Sequence, residues 1–239
     1  MGVATEIRPA AIAVGRPAPN LAHRNADALS GFTVAITDAG GYAAEGAFQI
    51  SIGGWFDDFE TDRGWTGGVA GDTATAGFWE RADPALTTTT AGLHPQGEDD
   101  HTPAPGTLCF VTNAAGGAAA DSDVDGGTTT LLSPVFDLAG AVSATFSYWR
   151  VYTNDLGNNP GQDWWNVDVT SDGVTWISLE HSQASSTTWT QFTFALEDYV
   201  ALTDHVQVRF VADDTAPGSM VEAAVDDVIL DVVRDDLTP

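Results

Sequence analysis

Lysine is absent from this 239-residue sequence and cysteine occurs once. Its 8 basic residues are therefore all arginines, set against 34 acidic ones, for a formal net charge of −26. A surface so poor in cations repels duplex nucleic acid and anionic bilayers, which excludes both as expected partners. The same acidity would serve solubility in a salty habitat, and that alternative stays open. A single cysteine cannot build a disulfide framework; Cys109, in "TLCFVT", reads as a small buried hydrophobe and leaves the redox compartment undecided. Apolar runs long enough to cross a bilayer are missing too.

Catalytic signatures are equally scarce. The histidines His23, His94, His101, His181 and His205 are scattered, with no HExxH pair for zinc. No GxSxG turn offers a nucleophile. His101 stands beside Asp99 and Asp100 in "GEDDHTP", where the expectation is a solvated loop. No catalytic residue is nominated, and the chain is expected not to be an enzyme. The opening "MGVATEIRPAAIAVG" carries Glu6 and Arg8 where a secretory leader has its apolar core, so it does not read as one. It also starts like a myristoylation signal, but Thr5 falls one place before the usual hydroxyl.

What the sequence does have is alternation. "DWWNVDVT" puts Trp165, Val167 and Val169 on one side and Trp164, Asn166 and Asp168 on the other; "HVQVRFVA" separates Val206, Val208 and Phe210 from Gln207 and Arg209. Similar runs, split by turn clusters such as "NDLGNNPGQD" and "DDTAPGS", continue to "AAVDDVILDVV". Only "LEDYVAL" suggests a helical turn. The fold class expected is all-β: a two-sheet jelly-roll sandwich over residues 53–239, preceded by an extended arm or linker (1–30) and a β-hairpin (31–52). A domain of about 180 residues buries roughly 70% of its unfolded surface, enough for a stable core.

Several ordered motifs carry a resemblance. "DDFETDRGWT", "LLSPVFDL" and "AAVDDVIL" look like the jelly-roll modules of the MAM and cleaved-adhesin type, which are appended to secreted bacterial metallopeptidases and surface proteins. "EDDHTPAPGTLCFVT" and "DVDGGTTTLLSPVFDL" look like the copies that follow secreted zinc carboxypeptidase domains. The likeness spans Trp55 to about Val233, while Gly31 to Ile52 resembles the last two strands of a bacterial immunoglobulin-like repeat. It implies a secreted or cell-surface protein. It also implies a structural calcium held between first and last strands, which carried over residue by residue indicates Glu60 with Asp226 or Asp227. Asp58 is a third candidate, by shared parity with Glu60 on the opening strand.

A second acidic cluster is read from spacing. Asp121, Asp123 and Asp125, followed by Gly126, repeat the first half of a calcium loop, in which alternating carboxylates converge on one hard cation. The second half fails: position twelve is Leu132, and a strand follows instead of a helix. Any ion must find its remaining oxygens elsewhere; a solvated turn is the alternative.

Among the aromatics, Trp65 and Trp176 read as structural, while Trp164 and Trp189 point away from core-facing neighbours and are candidates for a ligand platform or an interface. The function expected is a non-catalytic, secreted, calcium-stabilised sandwich for extracellular adhesion or assembly, with a glycan or surface protein as partner. One variant has residues 1–52 adding strands to a neighbouring copy to build a filament or tube. The alternative is a carbohydrate-binding module of an extracellular hydrolase.

Overall fold

The computed structural model describes residues 28–37, 43–215 and 218–235; the expected arm, residues 1–27 of it, and the turn of the hairpin lie outside the described residues. In chain order the strands are β1 Ala28–Thr37, β2 Ala43–Asp57, β3 Thr66–Gly67, β4 Trp79–Ala82, β5 Thr87–Thr88, β6 Cys109–Thr112 and β7 Gly117–Ala118. They continue with β8 Gly127–Leu132, β9 Ala141–Gly157, β10 Trp165–Thr170, β11 Ile177–Ser182, β12 Ser186–Ala195, β13 Gln207–Asp214 and β14 Ser219–Asp235. Two single 3-10 turns, Ala119–Asp121 and Leu196–Asp198, are the helical pieces among the described residues. No helix there is long and apolar enough to cross a membrane.

The chain is all-β, built on two facing antiparallel sheets. One sheet has seven strands, β1, β2, β14, β6 and β4 with β9 and β12; the other has five, in the order β11-β10-β13-β8-β3. The alternation read from sequence is what closes them. Trp165, Val167, Val169, Val208, Phe210 and Ala212 of the smaller sheet are fully buried, facing Phe146, Tyr148, Tyr152, Val225 and Leu230 of the larger. Tyr148 meets Phe210 edge-on with ring centroids 4.8 Å apart, an aromatic arrangement that adds to the area it buries. Opposite faces stay polar: Gln207, Arg209, Asn166 and Asp168 remain partly exposed, and Arg209 pairs with Asp168 at 2.8 Å.

β1 and β2 pair antiparallel with Phe32 opposite Phe48, and β2 runs on without a break to Asp57. Its Ile50–Asp57 stretch lies along Val228–Asp235 of β14. β14 thus carries β9 along one edge, and β6 then β2 along the other. The change of partner falls between Val225, opposite Phe110, and Val228, opposite Asp57. There the register with β9 also shifts, and Asp227 adopts a left-handed φ of 46°. A bulge where two partner strands abut re-aims side chains and leaves a gap in the ladder. That gap is where Asp226 and Asp227 sit.

Candidate functional site

Three carboxylate-rich places emerge, and β14 contributes to each.

The first is the gap just described. Asp226 is fully buried, and its Oδ2 accepts the backbone N–H groups of His101 at 2.8 Å and Thr102 at 3.1 Å, while its Oδ1 accepts Asp227 N at 2.7 Å. Asp227 binds His101 Nδ1 at 2.7 Å and the Thr102 hydroxyl at 3.0 Å. From the turn that follows β2, Glu60 Oε1 accepts Thr107 N and Leu108 N, both at 2.7 Å. Glu60 and the Asp226–Asp227 pair therefore hold opposite ends of one loop, residues 101–108. Burial, reinforced by the Asp227 charge, pushes Asp226 up to about 8. Asp100, in the approach to this loop, is pushed up to about 6 by burial and then by Glu60 and Asp227, and its Oδ2 has no partner among the described residues.

Two expectations need correction here. Asp58 and Glu60 do not lie on the opening strand: β2 ends at Asp57, and Phe59 turns to φ 57°. The positive φ ends the alternation on which their shared parity rested. Asp58 turns back on its own chain to accept Glu60 N at 3.2 Å, and it is Asp57 that goes into the core, bound to Trp65 Nε1 at 3.0 Å. Nor is His101 a solvated loop residue. Its ring stacks on Trp149 at 3.9 Å, and its backbone is fixed by Asp226.

The second place is the triple-Asp turn. Its carboxylates are unequal: Asp121, on the 3-10 turn, and Asp125 are exposed, while Asp123 is 4% exposed. Val124 N bonds to Val221 O of β14 at 2.8 Å, which pins the turn and drives Asp123 inward. The end of β13 supplies what spacing alone could not show. Asp214, also 4% exposed, accepts Gly126 N at 3.0 Å through Oδ2. Asp123 Oδ1 and Asp214 Oδ1 are buried with no hydrogen-bond partner among the described residues. Burial and the neighbouring Asp125, Asp214 and Asp121 push Asp123 up to about 7; burial, then Asp163, Asp125 and Asp213, push Asp214 up to about 6. A cavity of about 360 Å³ opens beside Asp125, Gly126, Asp214 and Thr215.

The donors at both places are oxygens throughout, the right kind for calcium. They are not gathered as a coordination shell: among the described residues no group of three or more His, Cys, Asp or Glu is arranged to hold a metal ion. The fit is closer at the turn, where buried oxygens are left over, than at the gap, where backbone N–H groups occupy most of them.

The third place is a cleft of about 210 Å³ on the outer face of the larger sheet, lined by Trp189, Val151, Ala223, Ala224 and Glu222 below and by residues 95–100 above. Trp189 packs on Val151 and Ala224, with Cys109 and Val111 completing a small second core. Glu222 is 1% exposed, takes a hydrogen bond from Thr87 Oγ1 at 2.7 Å, and is pushed up to about 8 by burial. Sequence reading missed Glu222 and Asp214. A lone carboxylate in the apolar run "SMVEAAV" and the doublet closing "VADDT" were the available signals.

Trp164 and Trp189 lie apart. Trp164 is half-buried, its ring covered by His181 at 3.8 Å, whereas Trp189 walls the cleft. Trp65 is buried and Trp176 lies under the Arg209 guanidinium at 4.4 Å, both structural as expected.

No family model and no curated protein matches the sequence. Among solved structures, the chain is similar to TmCBM61, determined in complex with β-1,4-galactotriose (10% identity, TM-score 0.41, covering 70% of this chain and 88% of that one). It is similar also to the K3 cleaved adhesin domain of Lys-gingipain from Porphyromonas gingivalis (16%, TM-score 0.40, 75% and 98%). A third is the C-terminal family 22 carbohydrate-binding module of Clostridium thermocellum Xyn10B (10%, TM-score 0.39, 74% and 91%). Likeness this distant transfers no ligand and no residue role to this chain.

Proposed function

We propose that this chain is a non-catalytic, extracellular β-sandwich module that serves adhesion or assembly and is stabilised by calcium. The observation that carries the reading is that Asp123 and Asp214 each keep a buried carboxylate oxygen unpartnered among the described residues, at a turn to which Asp214 is bonded and beside a cavity that Asp214 lines. Two carboxylates at such a site cannot both be charged without a counter-charge, so the turn is relieved by protons or by a cation. Among the described residues no arginine forms a salt bridge with either carboxylate, so the cation would come from solution. Asp123 and Asp214 would hold it, with Asp125 at the rim; the ion would supply positive charge and tie the end of β13 to the turn before β8. Calcium added to metal-stripped protein should raise the melting temperature, because an ion bound by the native state alone stabilises it. An unchanged melting temperature at millimolar calcium sinks the calcium role.

Assembly has its own support. β1 stands at the end of the larger sheet, with β2 as its one partner among the described residues. An open edge is a template for a strand from another copy. Removing residues 1–37 should abolish concentration-dependent association in sedimentation; unchanged association would end the strand-donation reading.

A further inference from the structure

We infer that the cleft walled by Trp189 is a receptor for an arginine side chain of a protein partner. This deepens the reading of the sandwich as an adhesion module and rests on it.

The cleft has two halves of different chemistry. One is apolar, made by the Trp189 ring with Val151 and Ala224, the small cluster on the outer face of the sheet. The other is acidic, made by Glu98, Asp99 and Asp100 over the buried Glu222, and no basic residue among the described ones lines it. The polar groups are one-sided as well. Gln96 spends its Nε2 on Ala85 O at 2.7 Å and Asn113 O at 3.3 Å, which leaves Oε1 as the end without a partner. Asp100 Oδ2 and Glu222 Oε1 are likewise unpartnered among the described residues. Trp189 Nε1, a donor in this wall, points to Asp99 O at 3.4 Å.

The wall thus offers spare acceptors, negative charge and an aromatic face. A guanidinium complements all three, since it carries five donors and no acceptor, stacks on tryptophan and forks onto carboxylates. Its three-carbon stem matches the Val151–Ala224 floor. Lysine satisfies the charge but lacks the planar face for the ring. A neutral sugar would stack equally well, but its hydroxyls bring acceptors as well as donors. Anionic ligands are repelled.

The test is titration of the full chain with Nα-acetyl-arginine methylamide and with its citrulline counterpart, which has nearly the same shape and no charge. Binding would be followed by calorimetry and by shifts of tryptophan indole N–H signals at low and moderate salt. The arginine probe should bind about tenfold more tightly than the citrulline one, and Trp189→Ala should weaken it by about tenfold. Asp99→Asn, an exposed rim change that leaves the core alone, should weaken it severalfold, which keeps the test valid if the tryptophan variant folds poorly. Equal binding of the two probes overturns the proposal. So does arginine binding that Trp189→Ala leaves unchanged, which would be general attraction to an acidic surface, and so does a neutral oligosaccharide that displaces the arginine probe and outbinds it. Loss of arginine binding alone, with calcium-dependent melting intact, removes the cleft and spares the module reading; turnover on a panel of hydrolase substrates would remove both.

Discussion

The gap in β14 and the triple-Asp turn are both crowded with carboxylates, yet they solve the crowding differently. At the gap, Asp226 alone accepts three backbone N–H groups, and Glu60 takes two more from the far end of the same loop. Those N–H groups would otherwise be stranded where the ladder changes partner, so charge and orphan donors answer each other. At the turn, Asp123 and Asp214 keep one buried oxygen each without a donor. The lesson is that acidic density by itself does not mark an ion site. What marks it is density left over after the backbone has been served.

The sharpest way to break this comparison is Asp226→Ala. It orphans the N–H groups of His101, Thr102 and Asp227 at once, and should cost about 3 kcal/mol in urea unfolding, with or without calcium. A loss that appears only when calcium is present would move the ion to the gap. Next in size is the calcium increment itself, about 2.7 kcal/mol at a hundredfold excess over the dissociation constant. Asp214→Asn should abolish it, and Glu60→Gln should leave most of it; the reverse pattern would exchange the roles of the two regions.

Acidity gives a third, intermediate effect. In metal-free buffer burial pushes Asp214 up to about 6 and Asp123 up to about 7 in the native chain, well above the ordinary carboxylate range. Between about pH 4 and 7 the native state therefore holds protons that the unfolded chain has released. That contribution is full below the unfolded values and disappears as pH rises through 6 and 7, so stability without calcium should fall from pH 5 to pH 8. Calcium should flatten that slope, and Asp123→Asn should reduce it; melting curves in chelator that rise with pH would contradict the burial of these groups. The smallest effect belongs to Asp58→Asn. Its carboxylate serves one neighbouring N–H, that of Glu60, and none of the loop or turn donors, and melting should shift by no more than about 0.5 kcal/mol equivalent.

How much of this was legible beforehand depends on whether a feature is local. The core faces of β10 and β13 followed from period-two alternation, because a sandwich strand has one dry side. The 3-10 turn at Leu196–Asp198 was visible in "LEDYVAL". The site details were not. The shared parity of Asp58 and Glu60 assumed a strand, but β2 ends at Asp57 and Phe59 turns left-handed, so both fall beyond it, and no feature of "DDFE" announces that φ. Asp214 reaches the triple-Asp turn across 88 residues of sequence, a pairing fixed by sheet order alone. Glu222 looked like a stray charge in an apolar run until the sheet placed it beneath a loop.

β14 touches more of the chain than any motif suggested, since β2, β6 and β9 all wait for it to complete their ladders. A ribosome delivers it after the rest of the sandwich. Until then the first strands stand as raw edges, able to pair with the wrong neighbour, and closure is one late event spanning nearly the whole domain instead of a gradual accretion. The body should consequently fold slowly, and losing its final segment would undo the larger sheet from its middle outward.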